Sequence, residues 1–119
     1  MTILTLLSET TYGTESGNYD GSTTNFTSDA VRAADYYRLM NASQTVIFAL
    51  NDFEGAIVIQ GTLVKEPVDT DWVDLYEIPA DSSAITTNSS TTLTGNFVWI
   101  RASVSGFIGG TINSITTTY

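Results

Sequence analysis

The sequence predicts an all-β fold: a small antiparallel β-sandwich, jelly-roll or Ig-like, of seven to eight short strands with at most one short helical turn. Three observations predict it. The chain holds 20 Thr and 12 Ser, while charged residues make up only 14%. Thr is β-branched and polar, which suits the exposed face of a strand. Residues 44–63 contain two apolar runs, Val and Ile rich, around a polar tip, Asn51-Asp52-Phe53-Glu54-Gly55. Residues 96–105, NFVWIRASVS, alternate between apolar and mixed positions, as a half-buried strand does.

The 44–63 stretch is the centre of the reading. Runs 46–50 and 56–63 read as two strands joined by a hairpin loop. In the second run Ile57, Ile59, Gly61 and Leu63 fall on a core face; Ala56, Val58, Gln60 and Thr62 fall on a half-exposed one. In 96–105 the inward row is Val98, Ile100, Ala102 and Val104, with Phe97, Trp99 and Arg101 opposite. A turn over 106–110 and a last strand over 111–119 follow.

Residues 1–7 read as a first strand, with Ile3 and Thr5 opposite Leu4 and Leu6. They are too few for a secretory signal or a membrane span. Residues 8–29 read as a long loop or arm. Its spaced aromatics Tyr12, Tyr19 and Phe26 peg it onto the body or onto a neighbour. Residues 28–40 are the one place where a helical turn could sit, with Ser28 as its cap, but extended structure near 36–38 is the favoured reading. Pro67 interrupts a charged turn over 64–70. Residues 71–78 alternate as a strand, with Trp72, Asp74 and Tyr76 on one face. Residues 79–93 read as a polar connection. At 119 residues the whole is one domain, 1–119, with room for a core.

Composition restricts chemistry. The net charge is −9, from 13 acids and 4 bases, so phosphate backbones are repelled and nucleic acid is not an expected partner. There is no Cys and no His. That removes thiolate and zinc–sulfur chemistry, the commonest general base, and a Ser triad of the familiar kind.

The acids invite a metal reading. Asp69, Asp71 and Asp74 are close in sequence, and Asp52 and Glu54 share the tip. An EF-hand spacing is missing, and on a strand Asp71 and Asp74 point to opposite faces. Solvated acids are the expectation, with no metal and no cofactor. Asp52, Glu54, Asp74 and Glu77 could pair for glycosidic chemistry, but nothing marks any of them as buried, so no catalytic residue is assigned and the chain reads as a non-enzyme. Trp72, Tyr76, Phe97 and Trp99 lie opposite the assigned core. They suit an interface or internal packing, or alternatively a platform for sugar rings. Arg101 is expected to pair with an acid such as Asp74 or Glu77, within the chain or across an interface. Three Asn-X-Ser/Thr matches, at Asn25, Asn41 and Asn88, are common by chance in such a composition.

A series of motifs runs through the chain. It comprises Asp35-Tyr36-Tyr37, Gln44-Thr45-Val46, Asp52-Phe53-Glu54-Gly55-Ala56-Ile57 and Ile59-Gln60-Gly61-Thr62-Leu63. Pro67, Asp71-Trp72-Val73-Asp74, residues 95–102, residues 110–115 and Tyr119 complete it. This order resembles a family of small virion structural proteins of tailed phages, especially large myoviruses of cyanobacteria, over roughly residues 33–119. A Gly-rich turn often surrounds the paired tyrosines in that family; here Ala33, Ala34 and Arg38 stand there. The resemblance implies a particle component made in the host cytoplasm: head decoration, neck or tail. Its partners would be other virion proteins and further copies of itself, with no membrane. The interface or ligand candidates are then Tyr12, Tyr19, Phe26, Trp72, Tyr76, Phe97, Trp99 and Arg101. The alternative is a carbohydrate-binding module for host surface glycans.

Overall fold

The structure is a computed structural model and describes residues 3–33, 43–80, 84–95 and 97–118. It is all-β and antiparallel. The strands are β1 (Ile3–Leu7), β2 (Thr10–Thr11), β3 (Phe26–Thr27), β4 (Val31–Arg32), β5 (Ser43–Thr62), β6 (Val73–Ile78), β7 (Ile85–Thr94) and β8 (Trp99–Thr118). A 3-10 turn covers Asp69–Asp71.

The expected central hairpin is absent. Residues 43–62 form one strand, and so do residues 99–118, where a turn over 106–110 was expected. The two pair with each other along nearly their whole length, from Thr45↔Thr118 to Thr62↔Trp99. A straight strand of 20 residues would span about 66 Å, yet the longest dimension of the molecule is 39 Å. Both strands therefore bend, and they bend together. The register slips between Asn51 and Glu54 and again between Glu54 and Ala56. Asp52, Gly55, Gly106 and Gly110 all have positive φ there. Turn-forming residues at 51–55 thus make a bulged corner in place of a loop.

The corner also inverts the faces, since an odd-numbered slip moves every later side chain to the other side. Gln44, Val46, Phe48 and Leu50 are buried before it; Phe53, Ile57, Ile59 and Gly61 are buried after it. The inward row of β8, Ile100, Ala102 and Val104, is buried as expected, and Ile112 and Ile115 continue the core beyond the corner.

Folding at the corner makes two facing halves of one eight-stranded sheet. The first half runs β7, β5 (43–51), β8 (111–118), then β1 and β2; the second runs β6, β5 (56–62), β8 (99–105), then β3 and β4. Phe48 of the first half meets Tyr76 of the second, ring centroids 5.8 Å apart, and the buried apolar side chains of both halves form one cluster.

Several expectations change. Leu63 is exposed, because β5 ends at Thr62, while Ala56 and Thr62 are buried. β1 carries a bulge between Thr5 and Leu7, so Leu6 and Leu7 are both buried. Residues 85–94 are a ten-residue edge strand, not a connection. Ser28 caps no helix: its N–H bonds the Ala102 carbonyl at 2.8 Å, and its hydroxyl accepts the Ala102 N–H at 2.9 Å. That ties the chain between β3 and β4 to β8. The expected extended stretch near 36–38 lies outside the described residues.

Candidate interaction surfaces

The corner gathers the aromatics of the 8–29 segment. Phe107, fully buried, sits 5.1 Å from Tyr19, 6.0 Å from Phe26, 5.7 Å from Phe53 and 5.7 Å from Tyr12. Offset and edge-on ring contacts of this kind add to the burial of apolar area. Tyr19 is itself fully buried, and its hydroxyl oxygen accepts the Gly13 N–H at 2.9 Å. Tyr19 and Phe26 are therefore pegs into their own body and leave the set of free interface candidates. Tyr12 packs edge-on against Phe107 yet remains exposed.

Tyr76 and Phe97 are corrected in a different way. Both were assigned outward; both pack against the core. Tyr76 lies opposite Ile59 in the β5–β6 register, which slips between Ile59 and Gln60. Phe97 lies over the glycine surface of Gly61, where a Cβ would come within 3.0 Å of its ring. A four-membered aromatic platform does not form.

The outer face of the second half keeps Trp72, Trp99 and Arg101. Arg101 pairs with Gln60 across β8 and β5, its Nε donating to Gln60 Oε1 at 2.8 Å. Gln60 Nε2 in turn donates to Asp74 Oδ1 at 3.0 Å. Within the chain, Arg101 thus reaches Asp74 through a neutral amide and not by a direct ion pair. The Arg101 guanidinium also stacks on Trp72, 4.3 Å from the ring centroid. Trp99 Nε1 donates to the Lys65 carbonyl at 2.9 Å. The two tryptophans hold segment 63–72 back against the sheet. The Asp71 carboxylate accepts the Val68 N–H at 2.9 Å within that segment. No group of three acids that could hold a metal occurs among the described residues.

That segment leaves apolar side chains outside. Leu63, Val64, Val68 and Val73 are all exposed. Beside them is an open groove of about 580 Å³ lined by Val64, Lys65, Glu66 and Trp99. A cluster of exposed aliphatics has the composition of a contact surface.

The first half differs in kind. Its strands, residues 3–7, 43–51, 85–94 and 111–118, hold no charged residue. Their registers set Thr92, Thr45, Thr118 and Ile3 side by side, and Ser90, Ile47, Thr116 and Thr5 in the next row. The result is an outer face of hydroxyls and methyls. The Thr118 hydroxyl oxygen there is buried without a hydrogen-bond partner. Sequence reasoning missed this face, although the absence of Asp, Glu, Lys and Arg from four separate stretches was visible.

No family model matches the chain, and no curated protein matches it.

Proposed function

We propose that this chain is a non-enzymatic virion structural protein of a tailed phage, placed in the head decoration, neck or tail, that works through subunit–subunit contacts. The observation that carries the reading is charge segregation. A chain of net charge −9 keeps the strands of one half of its sandwich free of charge. An outer sheet face in contact only with water has no need of that, whereas acidic copies and neighbours that pack together do. The motif series over residues 33–119 supports the particle setting. The exposed aliphatics of segment 63–73 supply a second contact surface. Without His or Cys, the usual nucleophile–base pairs are unavailable.

Mass spectrometry of purified particles, followed by cryo-EM localisation, tests the reading. The protein should be present at a regular copy number with its uncharged face against a neighbour. Absence from the particles would reject it.

A carbohydrate-binding module is the second reading, favoured by one observation: Trp99 lines an open groove beside Lys65 and Glu66. It loses ground because Tyr76 and Phe97 face inward. A glycan array with a Trp99→Ala control decides it.

A further inference from the structure

We propose that the outer edge of β7 is a self-pairing edge, to which a second copy of this chain adds its own β7, antiparallel, across a two-fold axis. This deepens the subunit-contact reading above and rests on it for its setting in a particle.

On one side β7 pairs with β5, from Ser43↔Thr94 to Phe53↔Ile85. Among the described residues no strand pairs with its other side. A free edge offers a row of N–H and C=O groups to any extended chain, and proteins blunt such edges with charges, proline, bulges or short length. β7, ITTNSSTTLT, has ten residues and no charge, proline or glycine. Its inward row is also incompletely covered. Leu93 is buried, but Ile85, Thr87, Ser89 and Thr91 are only half-buried. A strand laid along this edge would cover side chains as well as backbone.

The charge distribution selects the occupant. Two copies at −9 each repel wherever their acids face each other. Along β7 they approach to the inter-strand distance of about 4.8 Å with no charge on either strand; the nearest acid among the described residues, Asp52, accepts from the Thr86 hydroxyl at 3.3 Å at one end. A cationic partner would be drawn to the acids outside this half, not to this edge. The strand also suits itself. Pairing centred on Ser90 sets Ser90 opposite its own copy, Asn88 opposite Thr92 and Ser89 opposite Thr91. Such Ser and Thr pairs hydrogen-bond across strands, and the contact is isologous, as a two-fold requires. Two uncharged faces then join into one. Ten residues a side is fewer than the roughly 20–30 of a standard interface. The free protein therefore dimerises weakly, and repetition in an assembly strengthens the contact.

The test is sedimentation velocity of the full chain over rising concentration, for wild type, Ser90→Asp and Ser90→Lys. Ser90 is exposed, and thermal melts followed by circular dichroism check that both variants fold. Wild type should shift from monomer to dimer, more readily at high salt, with amide protection in 85–94 rising in step. Both variants should stay monomeric, because a residue facing its own copy repels with either sign. The proposal is overturned by a wild type that is monomeric at every soluble concentration, or by a dimer that both variants leave intact. Opposite responses to Asp and Lys also overturn it, since they reveal a different partner surface. A dimer from a protein absent from particles keeps this edge and removes the particle reading. A particle component that stays monomeric and incorporates Ser90→Asp normally does the reverse.

Discussion

Asp52 and Gly110 meet backbone to backbone where the two long strands turn. Both have positive φ, 53° and 83°. A Cβ on Gly110 would overlap the Asp52 carbonyl. Asp is one of the few side chains that tolerate this backbone region, and the Asp52 N–H is satisfied by the Thr86 hydroxyl at 2.9 Å. Gly110→Ala should therefore lose about 1–2 kcal/mol for the left-handed conformation and a further ~1–3 kcal/mol for the overlap. Gly106, at φ 60° with open space around it, is the control. Gly106→Ala should lose only the first amount. Urea midpoints compare them; equal midpoints would show that the two glycines are not distinguished by crowding.

Phe107 is the socket for the 8–29 segment, so its removal should have two effects. Phe107→Ala should destabilise by about 3–5 kcal/mol. It should also raise hydrogen exchange across 8–29 more than in β6. Tyr19→Phe keeps the ring and loses only the acceptor for Gly13, a loss of about 0.5–1.5 kcal/mol. If exchange in 8–29 is unmoved by Phe107→Ala, the segment is held by something other than this cluster.

Trp72 and Arg101 can be separated by a double-mutant cycle. A partly exposed guanidinium over an indole contributes about 0.5–1 kcal/mol, so Trp72→Ala and Arg101→Ala should show coupling of that size. Trp99→Phe, which removes the donor to Lys65, should instead speed proteolysis within 63–72. A coupling energy of zero would mean that the stack is positional only.

Asp20 provides the pH test. The Ser22 backbone N–H and then that of Thr23 donate to its carboxylate, at 2.9 and 2.8 Å, and hold its pKa below the ordinary 3.8. A depressed carboxyl pKa stabilises the fold above the unfolded value, and that stabilisation is lost as pH falls through the folded one. An NMR titration should place the Asp20 carboxyl below 3.8, and Asp20→Asn should lessen the pH dependence of melting in that acid range. A midpoint at or above 3.8 would remove the turn from the account.

Alternation was readable wherever one face is apolar, as at Ile57, Ile59, Ile100, Ala102 and Val104. It was unreadable in β7, where Thr87, Ser89 and Thr91 on the inward row look like Thr86, Asn88 and Ser90 on the outer one. Residues 51–55 were misread because a bulged corner and a hairpin tip use the same residue types, Asn, Asp and Gly. What separates them is the partner strand, which lies some fifty residues away. Four of the marked aromatics, Tyr19, Phe26, Tyr76 and Phe97, make their contacts within the chain's own core. That Tyr19 meets Phe107, Tyr76 meets Phe48 and Phe97 covers Gly61 depends on register slips that no local pattern carries. The uncharged half needs only a tally of Asp, Glu, Lys and Arg by strand, but that tally requires the strands.

β8 hydrogen-bonds β1, β2, β3, β4 and β5, and it is the last of the eight to leave the ribosome. Until it emerges, β1 to β4 lack their strand partner among the described residues, and Ile3 waits for Thr118. Among the described strands, β5, β6 and β7 are the ones that can pair earlier. The nascent chain therefore carries a three-stranded sheet with its central edge open, and long-range pairing of this kind is slow and aggregation-exposed. The complete sheet should form only after synthesis has passed position 118. Chains arrested just short of it should remain protease-sensitive through residues 3–32.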